Sequence, residues 1–518
     1  MKRTAFAVAV LGAALAANAA YDYYWFGTAG DDLWTTAANW SSSPDEYVAV
    51  ANGYPRSTTF NVHVDTSVAP GHHVTIRIPK LASNGASCNA FELFDSTGAG
   101  TLTLVGEPDE EAGRPYVPLG LNKTFTWTET GHPMRLEFLN LNLANGTLSV
   151  VENECAGCGV LVSNCVSTST SNSYYLKLPG QHGGSMTVID SEITTQILNN
   201  SAAGSDVAGY VLAVTNSTIK ISNGASVGGP GTVVDFVGST IRLGSYAPAF
   251  GAGSIAATND HANMKVAFKD TTIDFNKKFV LVMSAGGTLL FDNVVQGGEC
   301  RGVELAGLAT TELKNTSLRF YDTTGNGYRG ISGDLILDNS EWVGTNASQN
   351  VALNGPLRVE FRGAAPRFGG RQFAGNYPVT FDFLLPKGGY AYPPVNRMDN
   401  AAAGQIFPSG AVGGSINVLP ESPALKVVGE TIYPLIYVKD SKSSKPVCNL
   451  TNLPLTTLPN DKSKFLMTAD YTWSYEDVNG KAESEWTEVA TGYNGNQTAA
   501  GVAVKVVVRA LGLKIVVR

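Results

Sequence analysis

Two aspartates, one glycine-flanked histidine, one alternating run of oxygen donors and one cysteine cluster are where this chain's residue types could do chemistry. Cleavage of a polysaccharide needs paired carboxylates, or a base beside a calcium-binding acidic cluster, on adjacent strands. Asp190 and Asp270 are carboxylates at equivalent places in a repeat, but the places between them hold Asn216 and Gly238, so both read as turn formers. Asp31-Asp32, between Trp25 and Trp34, likewise reads as shaping a turn. Of His63, His72, His73, His132, His182 and His261, only His182 sits in a glycine loop, Gln181-His182-Gly183-Gly184, and with no identifiable partner it reads as part of a solvated loop. Asp322-x-Thr324-x-Asn326-Gly327 alternates oxygen donors as calcium loops do, yet Gly333 stands where the twelfth-position acid is expected; no cofactor is expected, with calcium here as the alternative. Cys155-x-x-Cys158 with Cys165 suggests a metal knuckle, but no fourth Cys or His lies near, which favours a local disulfide or buried thiols. A phosphate loop and a zinc-protease helix are missing from the sequence. No catalytic or cofactor-binding residue is therefore assigned, and metal ligation is left open.

The elements that would position these residues follow from a ladder: an apolar residue followed two places later by Asn, Asp or Gly, returning about every 24 residues. Its apolar members are Phe138, Val162, Val188, Val214, Phe236, Phe268, Phe291, Leu313, Leu337 and Phe361, with a further match at Phe381. The matching turn residues are Asn140, Asn164, Asp190, Asn216, Gly238, Asp270, Asn293, Asn315, Asn339 and Gly363. Such a period is the signature of a solenoid, in which each coil buries its apolar face against the next. The residue between apolar and turn positions is mostly polar or charged (Ser163, Thr215, Lys269, Asp292, Lys314, Asp338, Arg362), as an inward-outward pleat requires. Asn and Gly suit the bend because they tolerate left-handed backbone, and stacked Asn side chains can hydrogen-bond between coils. The ladder predicts an all-β fold: a right-handed parallel β-helix of about ten coils over 131–385, following an N-terminal β cap and preceding a small C-terminal antiparallel β domain.

Composition narrows the function classes. Lys2-Arg3, the apolar run Thr4 to Ala17 and the small residues at Ala17-Asn18-Ala19-Ala20 read as a signal peptide over 1–20, so export is expected. Removing Lys2 and Arg3 from the 36 basic residues leaves 34 against 44 acidic ones, a net charge near −10. With no basic block to neutralise phosphates, nucleic acid is excluded as a partner. No later run of 18 apolar residues exists to span a bilayer, so no transmembrane span is expected. The 56 glycines and the Ser, Thr and Asn between apolar positions match extracellular β-rich repeats. Six cysteines, Cys88, Cys155, Cys158, Cys165, Cys300 and Cys448, permit disulfides in an exported chain without specifying their pairing.

Residues 21–130 open with Trp25-x-Gly27, Trp34 and Asn39-Trp40, then continue as alternating strands such as Phe60-Asn61-Val62-His63-Val64. That opening resembles the start of secreted bacterial repeat proteins, the autotransporter-type passengers and their sorting-signal relatives. The resemblance implies a surface protein and no specific activity. It also implies that the tryptophans cover the exposed strand edges at the end of a stack. A Gly/Pro-rich connector is predicted over 386–415, with Pro393-Pro394 and Gly388-Gly389 breaking the period. The C-terminal β domain over 416–518 carries Tyr471-Thr472-Trp473-Ser474-Tyr475, an Asn479-Gly480 turn and Trp486. Its ending, Gly512 to Arg518, resembles C-terminal sorting domains of Gram-negative secretion systems.

The functional expectation is an exported, cell-surface-associated, structural or adhesin-like solenoid without catalytic activity. Its expected partners are extracellular matrix, cell-surface glycans or other surface proteins. The alternative is a carbohydrate-binding or polysaccharide-degrading β-helix, on the strength of its scaffold and of Tyr174-Tyr175, Tyr321 and Tyr328, which could stack on sugars.

Overall fold

The computed structural model describes residues 21–397 together with 415–420, 429–439, 465–474 and 499–510. Within 21–397 the description omits 52, 58, 80–85, 96–98, 108–116, 122–123, 128–132, 145–147, 153–156, 168–174, 179–182, 201–208, 228–229, 244–248, 252–262, 276–277, 299, 301, 321–329, 345–350, 371–372 and 376. The expected signal peptide, His182, the 322–327 loop, Tyr174, Tyr321, Tyr328, Asn479-Gly480 and Trp486 therefore lie outside the described residues. The chain is an all-β parallel β-solenoid with almost no helix, and it divides into two compact units, 1–227 and 228–518.

In the first unit, His73–Ile78, Thr101–Gly106, Arg135–Leu139, Gly159–Ser163, Ser185–Ile189 and Val211–Thr215 pair in parallel, one per coil. Register is strict: Leu104, Phe138, Val162, Val188 and Val214 are matched from strand to strand. A second parallel ladder runs from Tyr21–Trp25 through Phe60–Asp65, Ala90–Phe94, Thr124–Trp127, Leu148–Glu152, Tyr175–Leu178 and Glu192–Asn200 to Thr218–Val227. Parallel stacking thus begins well before residue 131, in strands whose spacing does not follow the 24-residue period.

The second unit repeats the arrangement over seven successive register-matched steps, from Phe236 through Phe268, Phe291, Leu313, Leu337, Phe361 and Phe383 to Val418. The sequence reading placed the rung after Phe361 at Phe381, and the structure corrects this to Phe383, since Phe381 pairs with Val359. Both phenylalanines are fully buried, because residues two apart share one face of a strand, and alternation alone cannot choose between them. Parallel pairing also continues past residue 385, through Val395–Arg397 and Ser415–Pro420, where the sequence period fails. Gly429–Lys439 pairs in parallel with Val395–Arg397 and antiparallel with Ala499–Ala510, which pairs antiparallel with Phe465–Ser474.

Burial explains the ladder. The ten apolar members from Phe138 to Phe361 are each at most 2% exposed. Phe236, Phe268 and Phe291 stack with centroids 5.3 Å apart and nearly parallel rings, and Phe361 stacks on Phe383 at 4.8 Å. Each such side chain contributes roughly 1.5–3 kcal/mol by leaving water.

Candidate functional site

The turn row comes first, because it holds both aspartates that could have been catalytic. Asn140, Asn164, Asp190, Asn216, Asp270, Asn293, Asn315 and Asn339 all adopt left-handed backbone with φ between 46° and 57°, and Gly238 and Gly363 share the region at 58° and 75°. Asp190 and Asp270 therefore occupy the same conformation as their Asn equivalents. Their backbone N–H groups donate to Thr215 and Asp292 carbonyls at 3.1 and 2.9 Å, as those of Asn164 and Asn293 donate to Ile189 and Lys314. The carboxylate of Asp270 accepts from the Asn293 amide at 2.6 Å, and the Asn140 carbonyl oxygen accepts from the Asn164 amide at 2.7 Å in the same way. The position needs left-handed backbone, which Gly238 and Gly363 supply without any side-chain oxygen, and where an oxygen is present the amide carbonyl of Asn serves as the carboxylate of Asp does.

One residue further on lies a row that the sequence reading missed. Ser191, Ser217, Ser239, Thr271, Thr316 and Ser340 are buried, and each hydroxyl donates to the carbonyl two residues before it, at 2.7–2.8 Å. Several also accept a backbone N–H from the preceding coil, among them Ser191 from Cys165 and Ser340 from Thr316. The signal was present as a small hydroxyl residue after most turn residues.

Acidic and basic side chains converge instead on the outer face of the second unit. Arg358 donates through Nε to Asp382 Oδ2 at 2.6 Å and places Nη2 2.5 Å from the same oxygen, while Asn417 donates to Asp382 Oδ1 at 2.7 Å. Asp334 lies 3.7 Å from Arg358, and Glu360 accepts from Arg362 at 2.5 Å. Register places Asp334 beside Arg358 and Glu360 beside Asp382 on adjacent coils. These are carboxylates and a base in the pattern a degradative site would need, yet Asp382 is 1% exposed and both its oxygens are engaged. The arrangement holds coils together, and Asp382 in turn raises the pKa of Arg358 through their hydrogen bond. Beside it, Lys269, Asp292, Lys314, Asp338 and Arg362 occupy matched positions on successive coils and alternate in sign.

In the first unit, His63 lies between Glu92, 2.6 Å from Nδ1, and Asp22, 3.2 Å from Nε2, with the Tyr24 ring stacked on the imidazole at 4.6 Å. His72 contacts the fully buried Asp95 at 2.7 Å, and Thr66 donates to the same oxygen. The opening motif forms a packed knot: Trp25 and Trp34 both meet Trp40 edge-on at about 5 Å, and Trp40 Nε1 donates to the Trp34 carbonyl. Asp31 accepts from Thr36, Asn39 and the Leu33 N–H; its pKa is lowered chiefly by the Thr36 hydroxyl, then by the Leu33 amide. Asp32 adopts φ 54°, so this pair shapes a turn.

Cysteine chemistry is closed at the positions described. Cys158 is disulfide-bonded and so supplies no thiolate to a metal knuckle. Cys88, Cys165 and Cys300 are buried thiols, and burial pushes Cys88 up to about 12 and Cys165 to about 11. At neutral pH those two carry essentially no thiolate. Among the described residues no group of three or more His, Cys, Asp and Glu is placed to hold a metal ion, and no helix is long and apolar enough to cross a membrane.

No protein-family model, curated protein or solved structure matches the chain. The class it can be given is the one its strands define, a parallel β-solenoid.

Proposed function

We propose that the protein is an exported, cell-surface-associated solenoid that serves a structural or adhesin-like role without catalytic activity. In this reading the coil is a right-handed β-helix, its N-terminal edge covered by the Trp-rich knot and its C-terminal end by a small antiparallel β domain. The signal-like sequence over 1–20 directs export, and matrix components, cell-surface glycans or other surface proteins are the partners. One observation carries the non-catalytic part: Asp190 and Asp270 share backbone conformation and backbone hydrogen bonding with Asn at equivalent coils, and Asp270 also accepts a side-chain bond as Asn140 does. The alternative, a carbohydrate-binding or polysaccharide-degrading β-helix, draws on the Asp334, Arg358, Glu360 and Asp382 constellation across adjacent coils.

The test has two arms. Protease treatment of intact cells, read with an antibody to the protein, should remove it if it stands at the surface, and protection in intact but not permeabilised cells would refute that placement. Incubation of purified protein with a polysaccharide panel should leave chain lengths unchanged, and depolymerisation lost in Asp382→Asn with the fold retained would establish the degradative alternative.

A further inference from the structure

On a different face of the second unit, two arginines share one carboxylate. Ser317, Glu341 and Arg367 occupy matched positions on three successive coils. Arg319 reaches Glu341 Oε2 through Nε at 3.2 Å and Nη2 at 3.0 Å, and the Ser317 hydroxyl donates to the same oxygen at 2.7 Å. Arg367 has one ion-pair contact among the described residues, a long one of 3.8 Å from Nη1 to Glu341 Oε1. Its Nε is buried with no acceptor among the described residues, and its guanidinium lies over the Tyr392 ring, 5.8 Å from the centroid. Tyr392 is fixed by donating to the Ala365 carbonyl at 2.7 Å, and the Arg319 backbone is held on both sides by Gln296, which accepts from its N–H at 2.7 Å and donates to its carbonyl at 2.8 Å.

The charge is unbalanced. Among the described residues the two guanidiniums have Glu341 as their ion-pair partner, leaving one positive charge over and one buried N–H unsatisfied. Burial raises the Glu341 pKa, but the Ser317 hydrogen bond and both arginines outweigh it and hold the carboxyl below its ordinary value, so it is ionised and already counted. A buried donor without an acceptor is rare in folded proteins, and a water or ion commonly satisfies it. Arg319 is 60% exposed, so the row opens to the outside. Guanidinium forks with a rigid aromatic beside them favour oxyanions over neutral groups.

We propose that Arg319, Arg367 and Tyr392 form an oxyanion-binding site for the carboxylate or sulfate groups of an acidic glycan. The choice of a glycan rests on the surface-binding function proposed above; the anion preference rests on this geometry alone. Glu341 orients the two arginines and limits the affinity by occupying one side of each.

The experiment is calorimetric titration of the full chain with oligogalacturonate, its methyl ester, dextran sulfate and polyglutamate. Binding to oligogalacturonate or dextran sulfate is expected, its strength falling as salt rises, with no binding to the neutral ester; the first two probes separate carboxylate from sulfate as the natural group. Arg319→Gln, at an exposed position that should not disturb folding, should weaken binding about tenfold, Arg367→Gln at least as much, and Glu341→Gln should tighten it. No binding to either acidic glycan, equal binding to the ester, stronger binding to polyglutamate, or affinity unchanged in Arg319→Gln would overturn the site. Because these are measurements on purified protein, their failure is distinct from failure of the surface placement, which the protease experiment decides.

Discussion

The turn row and the outer charged face run along the same coils of the second unit, and they use charged residues for opposite reasons. In the turn row the backbone decides: φ is left-handed at every step, and Asn, Asp and Gly replace one another because each tolerates it. On the charged face side-chain partners decide: Asp382 is buried because Arg358 and Asn417 occupy its oxygens. A carboxylate in a repeat is therefore informative only after its backbone has been examined. Asp270 looks functional by residue type and is a bend, whereas Asp382 attracts no attention in the sequence and is the most enclosed acid of its face.

Substitutions can break this contrast, beginning with the core that both rows share. Phe291→Asp places a charge between Phe268 and Leu313, where Phe291 is 1% exposed. It should cost several kcal/mol and abolish the cooperative unfolding transition of the second unit in denaturant titrations. Next is Arg358→Ala, which leaves the Asp382 carboxylate enclosed with Asn417 alone among its described side-chain partners. Because Arg358 is half exposed, the expected loss is about 2 kcal/mol, below the range for a fully buried pair, and would be read as a shift in denaturation midpoint.

In the turn row, Asn339→Ala should cost about 1–2 kcal/mol, since alanine pays the left-handed penalty and removes the oxygen that accepts from the Ala364 N–H at 2.9 Å. Gly363→Ala belongs with it. That φ of 75° is strained for any side chain, and an added Cβ would meet Asn339 Oδ1 at 2.3 Å. By contrast Asp190→Asn and Asp270→Asn should change stability by no more than about 0.5 kcal/mol. A larger loss in either would mean that the carboxylates do something their Asn equivalents do not.

Much of this architecture was legible in the sequence, and the reasons are physical. Buried positions recur because each coil must stack on the last, and the turn residues stand out because few side chains accept positive φ. What stayed hidden depended on register and loop length. The rung after Phe361 was misplaced by two residues because Phe381 and Phe383 face the same way, and with that error Glu360 and Asp382 could not be seen as neighbours. Alternating charge at Lys269, Asp292, Lys314, Asp338 and Arg362, by contrast, was legible, because the ladder alone aligns those five positions. The pairing of His63 with Asp22 and Glu92 joins strands 29 and 41 residues apart in an irregularly spaced region, beyond the reach of any local motif.

The most direct test of the central claim, that the turn carboxylates are architectural in a non-catalytic solenoid, is a paired measurement on wild type and the Asp190→Asn, Asp270→Asn double variant. Thermal melting and product release from a polysaccharide panel would be recorded on the same preparations. The account predicts coincident melting curves and no released oligosaccharide from either protein. Cleavage by wild type that vanishes in the double variant, with circular dichroism unchanged, would contradict it.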